Sequence, residues 1–121
     1  MAYDRNNVFA RILRGELPAK KIYEDEYALA FHDIRPLAPI HALVIPKGEY
    51  VTFDEFAGKA SPEAVAGLFR AVGKTAELLG VTGDGFRLLV NNGEHARQEV
   101  PHLHVHIFGG KPLGAMLPRS G

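Results

Sequence analysis

Apolar residues recur at helical spacing in the middle of the chain. The repeated positions are Val65, Leu68, Phe69, Val72, Ala76 and Leu79. This spacing puts the apolar side chains on one face of a helix. Ser61 is a favourable N-cap residue, Pro62 suits the first helical position, and Gly80 is a common C-terminal stop. The sequence therefore predicts one long amphipathic helix after residue 61.

A second, shorter apolar face lies near the N-terminus. It is formed by Val8, Phe9, Ile12 and Leu13. Asn6 or Asn7 can cap a helix at this point, and Gly15 can end it. This pattern predicts a short helix.

Alternating or β-rich segments occur between the turn signals. The predicted strands cover residues 20–24, 27–33, 41–45, 86–91 and 100–108. In the second strand, Leu29, Phe31 and Asp33 share one face. Neighbouring strands joined by short loops pair most easily antiparallel. The pattern predicts an α+β fold with about five antiparallel strands, one long helix and one short helix.

Composition and charge restrict the function classes. The chain has 121 residues, of which 46% are hydrophobic, and this suits a single domain. Its 14 basic and 14 acidic residues argue against a protein that coats nucleic acid. It has no cysteine, so disulfides and thiolate metal sites are excluded. No apolar run approaches the ~20 residues that span a bilayer, and the polar N-terminus lacks a signal-peptide pattern, so we expect a cytoplasmic protein without membrane partners.

Three histidines alternate with apolar residues near the C-terminus. In an extended strand, His102, His104 and His106 project from one face, and the apolar residues between them project from the other. The row could be a solvated polar face, a metal site or a phosphate-binding surface. A single ion is disfavoured because the outer histidines lie roughly 13 Å apart along a strand. Imidazoles can act as nucleophile or donor toward phosphate, which favours phosphate chemistry without a metal.

The segment His-Leu-His-Val-His-Ile-Phe at 102–108 resembles the signature of the histidine-triad (HIT) family at every position. Three further stretches are similar and come in the family order: residues 30–34, residues 38–41 with 44–47, and residues 90–93 leading to 98–100. The chain is most similar to the Hint branch, whose members are nucleotide-binding proteins and purine nucleoside phosphoramidases. The resemblance implies a single HIT domain over 7–117 with short extensions at both ends.

The resemblance implies four catalytic histidines. His104 would attack the α-phosphorus and carry a covalent nucleotidyl group. His106 would contact a phosphate oxygen or help the leaving group depart, and His102 and His41 would orient and polarise the cluster. The family uses no cofactor, so we expect neither a cofactor nor a metal ion.

The resemblance also implies a nucleotide pocket. It assigns contacts to Phe31, Asp33, Ile34, Asn91, Gln98, Glu99 and Val100. Asp33 would accept hydrogen bonds from the ribose hydroxyls, Phe31 and Ile34 would flank the purine, and Asn91 and Gln98 would contact sugar and phosphate. Glu99 departs from the Ser or Thr of many relatives, which shifts leaving-group contacts toward backbone N–H groups of the 98–100 loop.

The function implied is hydrolysis of the P–N bond in purine nucleoside 5′-phosphoramidates and related adenylyl conjugates, with adenosine preferred. A dinucleoside polyphosphate hydrolase is one alternative, and a nucleotide-binding or interaction module with incidental hydrolysis is another. A nucleotidyl transferase is disfavoured, because that branch commonly has Gln where this chain has His106. The family also implies a homodimer whose two sheets join.

Overall fold

Five antiparallel strands form the central sheet in the order β1-β2-β3-β5-β4. The computed structural model describes residues 2–117, so the expected C-terminal extension, residues 118–121, lies outside the described part. The strands are Lys21–Glu24 (β1), Ala28–His32 (β2), Ile40–Pro46 (β3), Arg87–Leu89 (β4) and Val105–Gly109 (β5). The helices are Val8–Leu13 (α1), Phe53–Lys59 (α2) and Pro62–Leu78 (α3), with a 3-10 turn at Glu94–Ala96. The predicted α+β sheet is confirmed.

Side-chain caps begin the two helices that the sequence predicts. The Asn7 side chain accepts a hydrogen bond from the Ala10 N–H at 2.9 Å at the start of α1. The Ser61 hydroxyl accepts one from the Ala64 N–H at 3.1 Å at the start of α3. Each bond satisfies a backbone donor that has no partner inside its helix.

The expectation of one long and one short helix misses α2. Thr52 caps this helix, and the Glu55 carboxylate accepts the Val51 N–H at 2.7 Å. The signal in the sequence is a Thr followed three residues later by Glu, which is the pattern of a capping box. The apolar face of α2 is short, with Phe56 as its buried residue, so periodicity alone does not reveal it.

Two apolar clusters cover the two faces of the sheet. The cluster on the α3 side includes Ala28, Ala30, Ala42, Val44, Leu68, Ala71, Val105 and Ile107. The cluster on the α1 side consists of Phe9, Leu29, Phe31, Leu43 and Ile45. Successive side chains of β2 and β3 point to opposite faces and so contribute to both clusters. These central strands are therefore buried on both faces. Within residues 2–117, no helix is both long enough and apolar enough to cross a membrane.

The last strand is shorter than expected. The predicted strand covers 100–108, whereas β5 begins at Val105. Pro101 has no N–H to give to the ladder, and the His102 N–H bonds to the Val100 carbonyl at 2.8 Å. His102 and His104 therefore precede β5 on irregular backbone. The side chains still alternate between the two faces of the sheet. Leu103 packs in the α3 cluster, and the rings of His102 and His104 contact Phe9 on the opposite face.

Candidate active site

Three imidazole rings meet where β3 and β5 pair. His41 lies in β3 and His106 in the neighbouring β5, and their ring centroids are 5.2 Å apart. The His104 ring lies 5.0 Å from the His106 ring. Phe108 stacks on His106 at 5.5 Å and packs on His41 at 4.2 Å, which holds both rings in place. The structure thus brings together three of the four predicted catalytic histidines in one cluster.

Backbone contacts determine which nitrogen of His104 carries the proton. Its Nδ1 lies 2.7 Å from the His102 carbonyl oxygen, and a carbonyl can only accept. The His104 Nδ1–H must therefore donate this bond. In the neutral ring, Nε2 is then left with a free lone pair, which is the state required of a nucleophile.

A second chain of contacts orients His41 and His106. The Leu37 N–H donates to His41 Nδ1 at 3.1 Å, so the proton of neutral His41 lies on Nε2. That Nε2–H donates to His106 Nδ1 at 2.9 Å. Neutral His106 consequently keeps its own proton on Nε2. The cluster therefore presents a lone pair on His104 beside an N–H donor on His106.

His102 lies outside this cluster. Its ring is fully buried, its Nε2–H donates to the Pro46 carbonyl at 2.8 Å, and its Nδ1 accepts from the Tyr3 hydroxyl at 2.7 Å. Both ring nitrogens are thereby occupied by protein partners. The contribution of His102 to the site comes from its main-chain carbonyl, which holds the His104 ring.

Burial keeps the histidines neutral. Desolvation is the main cause that lowers the pKa of His104 and His41, and the negative charge of Asp33 opposes it in both. Desolvation also lowers the pKa of His106 to about 4, with neighbouring His104 and His41 adding to the effect. Neutral rings at physiological pH are the state that leaves the His104 lone pair available.

One group of side chains has the composition of a metal site. Single ligand atoms of Asp33, His41 and His106 lie within 4.8 Å of one another. A metal-bound histidine normally donates its second N–H to an acceptor. Here His41 Nδ1 faces the Leu37 N–H, which is itself a donor, so the proton must remain on Nε2. Because the proton on His41 Nε2 occupies the nitrogen that would bind the metal, Asp33, His41 and His106 are better suited to a hydrogen-bonded arrangement than to a metal site.

The residues expected to hold the nucleoside differ in exposure. Asp33 follows β2 beside His41, with its side chain 19% exposed. Ile34 is 90% exposed and offers its whole side chain to a base. Phe31 is only 4% exposed and packs against Phe9 with ring centroids 5.6 Å apart. Phe31 packs mainly in the α1 cluster, and its contact with the purine stays a prediction.

The loop between β4 and β5 carries the remaining predicted contacts. The Gln98 amide donates to the carbonyls of Val51 at 2.7 Å and Val100 at 3.1 Å, and its oxygen accepts the Gly93 N–H at 2.9 Å. Gln98 therefore holds the loop on the domain, and its donors are not free for a ligand. Val100 packs against the α1 cluster, and Glu99 is exposed.

Asn91 remains available for a polar contact. It is half-buried just after β4, and its amide makes no hydrogen bond to the described residues 2–117.

Glu99 lies close enough to His104 for its charge to oppose the lowering of the His104 pKa. A carboxylate there also adds negative charge near the expected phosphate.

Comparison with known proteins identifies the family of this chain. The family model described as "HIT domain" matches residues 14–113. The chain is 39% identical over 114 residues to the purine nucleoside phosphoramidase of Escherichia coli K12, covering 94% of this chain and 95% of that one. The chain belongs to the HIT family.

Other HIT proteins match over similar lengths. An uncharacterized HIT-like protein of Azospirillum brasilense is 60% identical over 118 residues, covering 98% of this chain and 97% of that one. A HIT family hydrolase from Clostridium thermocellum has a TM-score of 0.86 at 38% identity, covering 95% of this chain and 99% of that one. These comparisons support a hydrolase in general.

Several residues that shape this HIT site escape the sequence analysis. Tyr3 holds the His102 ring, Phe9 packs its ring at 4.9 Å from His104, and the main-chain groups of Leu37 and Pro46 determine two tautomers. Contacts made by main-chain atoms do not depend on residue type, so the sequence does not predict them. For Phe9 the sequence does carry a signal, because its place on the apolar face of α1 predicts that it is buried. That signal does not predict that Phe9 packs on His104.

Proposed function

We propose that this HIT protein hydrolyses the P–N bond of purine nucleoside 5′-phosphoramidates and related adenylyl conjugates, with adenosine preferred, through a nucleotidyl-histidine intermediate. The observation that carries the proposal is the pair of tautomers at the site. The lone pair of His104 Nε2 and the N–H of His106 Nε2 suit attack at phosphorus and donation to a phosphate oxygen. The named activity of the E. coli relative supports the same substrate class.

The reaction would proceed in two displacements. His104 Nε2 attacks the α-phosphorus, the P–N bond breaks, and the leaving amine needs a proton. An anionic phosphate beside the rings favours an extra proton on the His41–His106 pair, since opposite charge stabilises the cation. The amine takes this proton from His106 Nε2. Water then attacks the phosphorus, the bond to His104 breaks, and the proton from water returns to the pair, releasing the nucleoside monophosphate.

The nucleoside would be held beside the reacting phosphate. Asp33 accepts from the ribose hydroxyls, Ile34 contacts the base, and the free amide of Asn91 reaches the sugar or phosphate. Backbone N–H groups of the loop at 98–100 assist the leaving group, while Gln98 keeps that loop in position. A carboxylate suits the ribose because it can accept two hydroxyl donors.

The test is turnover of adenosine 5′-phosphoramidate by the wild type and by His104→Ala. We expect the variant to lose turnover and to retain binding of adenosine monophosphate, because the base and ribose contacts lie elsewhere. His95→Ala, which changes an exposed histidine on the 3-10 turn, is the matched control and should keep full turnover. Rapid quenching of the wild type should yield protein carrying one adenylyl group on His104.

Three outcomes would contradict this proposal, the first in its mechanism and the other two in its substrate or activity. Inversion at phosphorus with no trapped adduct would indicate direct attack by water. Faster turnover of a dinucleoside polyphosphate than of the phosphoramidate would indicate the larger substrate class. Tight nucleotide binding with negligible turnover of both would indicate a binding module.

A further inference from the structure

The Asp33 carboxylate makes contacts in two directions at the end of β2. Its Oδ1 accepts the Arg35 N–H at 2.8 Å, which fixes the orientation of the carboxylate. Its Oδ2 lies 3.4 Å from His41 Nε2. The His41 side chain is only 2% exposed, which shields this contact from water, whereas the Asp33 side chain is 19% exposed and so is partly open to a ligand.

The N–H of His41 Nε2 therefore has one hydrogen-bond acceptor and one nearby negative charge. His106 Nδ1 lies at 2.9 Å and Asp33 Oδ2 at 3.4 Å from the same nitrogen. The position of this proton is unambiguous because the Leu37 N–H occupies the other ring nitrogen. The hydrogen bond goes to His106, and the Asp33 carboxylate acts on the same N–H through its negative charge.

We propose that Asp33 is a positioning residue for the His41–His106 pair in addition to its ribose contact, so that binding of the ribose adjusts the acid–base group. This inference rests on the proposed function for the identity of the ligand. A ribose hydroxyl that donates to Asp33 Oδ2 draws negative charge away from the His41 proton. The pull of the carboxylate on the His41 N–H then weakens, so the His41–His106 hydrogen bond alone sets the orientation of the His106 ring and of its Nε2–H toward the phosphate.

The charge of Asp33 reaches the whole cluster. It opposes the lowering of the pKa of His41, His104 and His106. Asp33 lies against His41, the ring that orients His106, as well as at the position expected for the ribose. Nucleoside recognition and proton donation consequently share one carboxylate.

The test combines a variant with a trimmed substrate. In Asp33→Asn, the amide oxygen would keep the Arg35 N–H, which turns the NH₂ group toward His41 Nε2–H and opposes donor to donor. The second substrate is the 2′,3′-dideoxy form of the adenosine phosphoramidate, which has no hydroxyl for Asp33 to bind. If Asp33 serves the ribose alone, the variant and the wild type have the same kcat on the dideoxy substrate.

We expect instead a fall in kcat of about 10-fold or more on the dideoxy substrate, because displacing a reacting group by ~1 Å can cost ~100-fold. KM for that substrate should change little. Asp25→Asn is the matched control: Asp25 precedes β2 and accepts the Tyr27 N–H at 2.8 Å, as Asp33 accepts the Arg35 N–H after β2. This variant should leave kcat unchanged.

Nitrogen-15 NMR of the imidazoles supplies a readout independent of turnover. Wild-type His41 should show a protonated Nε2 and an unprotonated Nδ1, and Asp33→Asn should shift the Nε2 resonance. An unchanged kcat on the dideoxy substrate together with an unchanged His41 spectrum would overturn the positioning role. If the wild type hydrolyses no phosphoramidate, the proposed function fails, and the His41 spectrum alone decides the role of Asp33.

Discussion

The burial of His102 as a neutral ring makes the stability of the domain depend on pH. Burial lowers the pKa of His102 to about 4 in the folded protein. In the unfolded chain the same ring has a pKa of about 6.5. Between these values the unfolded chain binds the proton and the folded protein does not. This contribution to stability is therefore complete above the unfolded pKa and is lost as the pH falls toward 4.

The magnitude follows from the two pKa values. Their difference of about 2.5 corresponds to about 3 kcal/mol once the pH is well below 4. Between pH 7 and pH 4.5 the loss due to His102 is about 2 kcal/mol. Against a typical free energy of unfolding of about 5–15 kcal/mol, a loss of this size is readily measured.

His102→Gln removes the titration and keeps a side-chain amide that can donate to the Pro46 carbonyl. Urea unfolding at pH 7 and pH 4.5, at one fixed protein concentration, should show that the wild type loses about 2 kcal/mol more than this variant. His95→Gln, at an exposed position, is the matched control and should behave as the wild type. An equal loss in the wild type and in His102→Gln would refute the neutral, buried state of His102.

Three further predictions concern packing, metal dependence and assembly. Gly67→Ala should lower the free energy of unfolding by about 1–3 kcal/mol, because a Cβ at this position of α3 would overlap the Tyr27 ring, whereas Gly73→Ala in the same helix meets open space and should not be destabilising. Prolonged chelation should leave turnover unchanged and added zinc should inhibit by binding His104 Nε2; activity lost on chelation and restored by zinc would contradict this. Light scattering at micromolar concentration should give about twice the 13.2 kDa chain mass, and a monomer would exclude a joined sheet.

Local pattern was sufficient for the main elements of this domain. A period of two predicts that Leu103, Val105 and Ile107 lie opposite the histidines, and all three pack on the α3 side. Ser61 and Asn7 predict helix starts because their side chains bond to backbone only three residues away. The family of the chain was recognisable for a related reason, since the histidines and the residues between them are contiguous in sequence.

Contacts between distant segments decided what the pattern could not. Phe31 has the same apolar character as a base-contacting ring would have, and only the packing of α1 on the sheet puts it in the core. The ends of the last strand depend on Pro101 and on which carbonyls come within reach of His102 and Leu103. The sequence specifies these residues but not their partners.

The tertiary structure, more than the sequence, determines which nitrogen of each histidine carries the proton. The sequence determined that histidines line one side of the final segment, but an isolated imidazole can carry its proton on either nitrogen. The choice is made by the His102 carbonyl at His104 and by the Leu37 N–H at His41. Main-chain groups have the same chemistry in every residue apart from proline, so their position in the fold, and not residue type, decides which histidine nitrogen is free to react.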